Sequence, residues 1–208
     1  MRIRLLILSV TALLGRSAEA LDATPPPGWH EAKRNAELIV FYKENEQAKA
    51  RDILAYTELN APPEAVFRVV TDFDHSAEFM PYIKESRILA RPAPDEEITY
   101  QIMSAPLISD RDYYLHVKLT QGSPATGGAF KSEWTSIPDY LPERKGMVRI
   151  RLNQGSWTYE PIDGGRRTRL VYSLLTNPAG AIPAWIVNMS NLGVIENMIK
   201  AVRTRLGK

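Results

Sequence analysis

Between residues 84 and 176 the chain reads as a series of short segments in which apolar and polar residues alternate. The segments span 84–91, 96–105, 111–121, 128–137, 146–160 and 166–176, and several are separated by turn chemistry such as "PAPDEE", "SPATGG" and "DGGRR". Parallel neighbours need a crossover of a dozen or more residues, and there is no room for one here. An antiparallel meander is therefore predicted, with parallel pairing not expected. Such a sheet has one polar face and must bury the other against something.

The cover is visible at the C-terminus, where the period changes. In "IPAWIVNMSNLGVIENMIKAVRTRL" (182–206), Ile182, Ile186, Met189, Leu192, Ile195, Ile199, Val202 and Leu206 recur three or four apart. That is the stripe of a long amphipathic helix, with Pro183 in its first turn. Upstream, 36–45 and 51–60 read as two further strands rich in Ile, Val, Phe, Tyr and Thr. Residues 61–73 read as a helix opened by prolines, with Val66, Phe67, Val69 and Val70 on its apolar face. "HSAEFMPY" follows as a short helix or loop that Pro81 stops, and a helical turn is expected near Trp29. The predicted class is α+β, a curved antiparallel sheet gripping a long C-terminal helix.

Parity assigns the faces. Tyr113, Leu115, Val117 and Leu119 share one side of their strand, and Tyr114, His116 and Lys118 the other. Val148, Ile150 and Leu152 alternate with arginines, and Leu170, Tyr172 and Leu174 alternate with Arg169, Val171 and Ser173. The first set of each should face the helix, where it forms either a filled core or the wall of a cavity. Met189, Met198 and Gly193 on the helix suit irregular packing and close approach.

The first twenty residues stand apart. Arg2 and Arg4 precede the apolar run Leu5–Leu14 and the small-x-small pattern Ala18-Glu19-Ala20, which reads as a secretory signal peptide, with an uncleaved membrane anchor as the alternative that Arg16 leaves open. Residues 21–28 then form a proline-rich linker and 29–208 one domain, exported to a periplasm or the medium. Removing the signal segment takes Arg2, Arg4, Arg16 and Glu19 and leaves acidic and basic residues in equal number. No global basic field remains to hold nucleic acid. The absence of cysteine excludes disulfides, zinc ribbons and thiol catalysis.

"ISDRDYYLHV" (108–117) has the composition of an acid–base cluster. Its residues read better as a structural ion pair at the start of a strand. Arg111 shares parity with Tyr113 but stands at the strand's mouth, within reach of water, bridging neighbouring segments. Asp110 and Asp112 share the other parity and face loop amides or solvent. Other catalytic groups are poorly placed: His116 falls on the outward face, His30 near the linker, and His75 in a loop beside Asp72 and Asp74. No phosphate-cradling glycine loop is present. No catalytic residue, metal or cofactor is assigned.

In this order and spacing the segments resemble the START family of steroidogenic-acute-regulatory-related lipid-transfer domains, as a bacterial exported member. "LNAPPEAVFRVVTDFDHSAEFMPYIKESRIL", "YQIMSAPLISDRDYYLHV", "KGMVRIRLNQGSWTYEP" and "TRLVYSLLTNPAGAIPAWIVN" carry the resemblance, which covers nearly the whole mature chain. It implies a helix-grip fold with a tunnel for one lipid between sheet and terminal helix. The lining would be the inward set above with Trp185, Met189 and Leu192, and Gln101, together with Tyr113 or Tyr172, would orient a polar group. The loop 136–146 would be the family's gating loop, with Tyr140 and Leu141 at its tip. Many members bury an acid and a second arginine where this chain has Gln101 and Val117. A less polar tunnel is thereby implied, suited to a sterol-, isoprenoid- or acyl-like ligand. The expected function is non-catalytic lipid binding, transfer or sensing by a monomer with transient membrane contact. Alternatives within the superfamily are a cyclase- or hydrolase-like enzyme and a quinone-binding chaperone.

Overall fold

The alternating segments join into one continuous sheet. The computed structural model describes residues 21–106, 108–177, 179 and 184–207, with the side chains of 184–191 excepted; the predicted signal segment lies outside these residues. The chain runs β1 (His30–Arg34), β2 (Leu38–Asn45), β3 (Ala50–Leu59), α1 (Pro63–Val70) and a 3-10 turn (Phe73–Glu78). Then follow β4 (Ile83–Ala93), β5 (Glu96–Met103), β6 (Arg111–Thr120), β7 (Phe130–Ser136), β8 (Val148–Arg149), β9 (Leu152–Ile162), β10 (Arg167–Asn177) and α2 (Ala184–Arg205). The sheet order is β1-β2-β3-β10-β9-β7-β6-β5-β4, with every neighbour on this path antiparallel. The meander and the helix-grip class are as the alternation predicts.

Three expectations need correction. No helical turn forms after Trp29: the polar stretch "HEAKR" is an edge strand paired with β2. The segment 146–160 is not one strand. It breaks at Ile150 and Arg151 into β8 and β9. The two residues of β8 pair with β6 in parallel, Arg111 opposite Val148 and Asp112 opposite Arg149. A parallel bridge this short needs only that the loop double back, which the crossover argument overlooks.

Helix α1 starts where proline is tolerated: Pro62 caps it and Pro63 occupies the first turn, whose amides have no intrahelical acceptor. Its buried Val66, Phe67 and Val70 press on the sheet, with the Phe67 ring 5.4 Å from Tyr159 and 5.1 Å from Phe130. Helix α2 buries Ile195, Ile199 and Val202 in the same core. Charged side chains tie its C-terminal half down. Arg203 pairs with Glu37 and donates to Thr57 Oγ1 at 3.2 Å, Glu196 pairs with Lys33, and Arg205 meets Glu78 at 3.1 Å.

Candidate functional site

Register turns the parity argument into a map of the inner wall, because directly opposed residues share a face. One row crosses seven strands: Tyr42, Ile53, Leu174, Gly155, Trp134, Val117 and Glu97. The next row is Val40, Ala55, Tyr172, Trp157, Ser132 and Leu119. Nearer the other end of the sheet, Leu115 faces Thr99, and Tyr113 faces Gln101 and through it Ser86.

Tyr113, Leu115, Val117 and Ile150 form one buried cluster with Trp134 and Met103 against it, while Leu170 and Tyr172 belong to the main core under α2. Trp157 and Trp134 lie 4.2 Å and 6.1 Å from the Tyr172 ring. Although they project from the inner face of central strands, Trp134 and Leu174 are only half-buried. Leu192 on α2 is half-buried and packs on the core. The side chains of Trp185 and Met189 lie outside those described.

Of the wall positions predicted on this segment, one moves. Val148 stays on the inner face, opposite Arg111. Leu152, expected inward, follows the break and has the opposite parity from Gly155, Trp157 and Tyr159 in β9. The alternation carries across a segment only while the strand is continuous.

The wall is also more polar than the resemblance implies. Gln101 spends its amide nitrogen on Ser86 Oγ at 3.0 Å. Val117, where many relatives carry an arginine, stands opposite Glu97. Glu97 is 9% exposed and accepts from Arg91 Nε at 3.1 Å, and burial raises its carboxyl pKa above the usual range. Its Oε2 and the neighbouring Thr99 Oγ1 are enclosed without a hydrogen-bond partner among the described residues. The signal for both was available: Glu97 and Thr99 share the parity of Gln101.

The Arg-Asp motif is wired differently from the expectation. Arg111 is 2% exposed, not at a wet mouth, and its guanidinium donates to the Ser109 carbonyl. Asp110 holds Lys84 at 2.8 Å. Asp112 is fully buried rather than facing solvent, and its cation is Arg149, which reaches both carboxylate oxygens at 2.9 Å. Planar guanidinium and carboxylate match in this bidentate geometry.

This pair lies on the outer face and anchors the loop between β7 and β8. Arg149 also donates to the carbonyls of Pro138, Leu141 and Pro142 and sits 4.7 Å over the Tyr114 ring. Ile137 and Met147 pack on Tyr100, Ile102 and Tyr114, and the Arg144 guanidinium donates to the Tyr100 hydroxyl at 2.8 Å. Arg151 reaches Asp139 at 2.6 Å and Glu143 at 2.9 Å. Tyr140 stands 5.6 Å from Tyr114 and remains 43% exposed beside Leu141 at 48%. The loop read as a gate is thus latched to the outer face of β5 and β6, with an apolar tip in solvent.

The histidines are engaged elsewhere. His116 is on the outer face with Glu96 at 3.0 Å, His30 is exposed and lies 5.4 Å from the Tyr42 ring, and His75 meets Asp72 at 2.7 Å on the surface. Asp74 accepts from the Ile88 amide at 2.8 Å instead of completing a cluster with them.

The sequence and the fold match known proteins. Residues 59–203 fit the family model described as polyketide cyclase / dehydrase and lipid transport, and the chain belongs to that family, in its START-type helix-grip form. The crystal structure of the STAR-related lipid transfer protein of Xanthomonas axonopodis is 30% identical, with a TM-score of 0.76, and the match covers 87% of this chain and 99% of that one. Human StAR-related lipid transfer protein 5 shares the fold at 17% identity, with a TM-score of 0.78 and 88% of each chain covered. The phosphatidylcholine transfer protein of Bos taurus is 25% identical over 142 residues, which are 66% of this chain and 64% of that protein.

Proposed function

We propose that this protein binds one lipid molecule between the inner face of the sheet and α2, and carries or senses it without chemical change. The observation that carries the reading is the inner wall of aromatic and aliphatic residues, from Tyr113 to Tyr172, in which Trp134 and Leu174 are left half-covered. A lipid that completes this cover is stabilised by burial of its own apolar surface, at about 25 cal/mol per Å². The relatives named for lipid transfer support the same class. The ligand is sterol-, isoprenoid- or acyl-like, and the protein works as an exported monomer outside the cytoplasm. The tip at Tyr140 and Leu141 makes the transient contact with a membrane.

The family model also covers cyclases, and general acid–base chemistry needs a titratable group that substrate can touch. Among the described residues the histidine that shares the inner face, His30 opposite Tyr42, is exposed on the edge strand, and the buried acid of the wall, Glu97, has one oxygen on Arg91 and the other enclosed. That arrangement favours binding over catalysis. Mass spectrometry of organic extracts from the purified protein should recover one lipid species per chain. A lipid-free protein that also takes up neither fluorescent sterol nor fluorescent fatty acid overturns the proposal.

A further inference from the structure

Tyr113 and Tyr172 are each 7% exposed, and among the described residues neither hydroxyl makes a hydrogen bond. That is unusual for buried tyrosine, whose O–H normally finds a partner. The contrast within the same wall is sharp. Tyr159 meets Ser132 at 3.2 Å, Trp134 Nε1 donates to Asn153 at 2.9 Å, and Gln101 is bonded to Ser86. These groups are mutually satisfied, whereas the two phenols are left over.

The two phenols belong to one region. Trp134 packs on the Tyr113 cluster and stacks on Tyr172, so one indole borders both. Burial first, and for Tyr172 the neighbouring phenol second, holds both pKa values far above the ordinary tyrosine range. Both therefore stay neutral and keep a proton to donate. Of the charged groups of the wall, Arg111 donates to the Ser109 carbonyl, and Glu97 accepts from Arg91 with one oxygen.

We infer that Tyr113 and Tyr172 form the polar end of the binding site and donate hydrogen bonds to a single uncharged oxygen, a hydroxyl, ketone or ester carbonyl, on an otherwise apolar ligand. This rests on the lipid-binding reading above and narrows it. Two neutral donors suit an oxygen with two lone pairs. They give no counter-charge to a carboxylate, a phosphate or a zwitterionic head.

The test is competition for a bound fluorescent lipid probe on the full chain, with two matched pairs: cholesterol against 5-cholestene, and hexadecanol against hexadecane. On the scaffold that binds, the oxygenated member should compete about tenfold better, the worth of one to two net hydrogen bonds. Tyr113→Phe and Tyr172→Phe should each lower that ratio to about threefold and the double variant to about one. Equal binding of both members by the unaltered protein needs no variant to fold and overturns the inference, as does a ratio that survives the double substitution. Phosphatidylcholine or palmitate binding more tightly than the alcohols would also overturn it while leaving the lipid-binding reading intact. If no lipid binds at all, both fall together.

Discussion

Arg149→Met should cost about 3–5 kcal/mol of folding stability, the range for removing one partner of a buried ion pair. The side chains of Arg149 and Asp112 are 1% and 0% exposed, so the remaining carboxylate has no solvent to turn to. Tyr100 is its other neighbour, at 3.4 Å, and a single long hydrogen bond does not replace two charge-assisted ones. The loop carbonyls of Pro138, Leu141 and Pro142 lose their common donor at the same time. Hydrogen exchange across 137–147 should therefore rise well before global unfolding. Combining Arg149→Met with Asp112→Leu should recover most of the loss, because replacing both partners removes the stranded charge. Urea unfolding of the three variants measures this. A loss for Arg149→Met of under about 1 kcal/mol, the range of exposed pairs, would show that water reaches Asp112.

That latch shows where reading the sequence stops. The strand carrying Tyr113, Leu115 and Val117, the C-terminal helix and the α+β class were all legible, because a period of two or of 3.6 is a local property. The partner of Asp112 was not legible. It lies 37 residues away and depends on a loop folding back so that β8 lies parallel to β6. The same fold-back interrupts the strand and reverses the parity of Leu152, which local alternation places on the wrong face. β1 was missed for the opposite reason. "HEAKR" has no strand signal of its own and is held by pairing with β2, and charged residues suit an edge open to water. For the site, the inward-facing apolar residues could be read by parity, while the loop tip at Tyr140 came from the family resemblance. Which polar groups are paired and which are spare could not, since that depends on register across strands. Gln101 looked like the ligand's contact and is bonded to Ser86, whereas Tyr113 and Tyr172 have no such partner among the described residues.

Gly155→Ala should be the most damaging single-methyl change in the wall, at about 3 kcal/mol, the upper part of the overpacking range. A Cβ at this position would stand 2.2 Å from the Ser173 carbonyl oxygen and 2.6 Å from Trp134 Cζ2. The first contact is with backbone, so β10 must shift against β9 and stretch the ladder that pairs Gly155 with Leu174. The second pushes the Trp134 indole, which lies across Gly155, stacks on Tyr172 and is held by Asn153. Glycine in a strand interior commonly marks such a close approach, and here it lets a large aromatic lie flat on the wall. Trp134→Phe in the Gly155→Ala background should relieve only the side-chain part and recover less than half of the loss. Affinity for a fluorescent lipid probe separates the two roles. Trp134→Phe alone should change that affinity with little change in the unfolding midpoint, because it alters the wall without touching the ladder. Gly155→Ala should lower both, and a variant that unfolds at the native midpoint would show that β9 and β10 part more easily than a 2.2 Å contact implies.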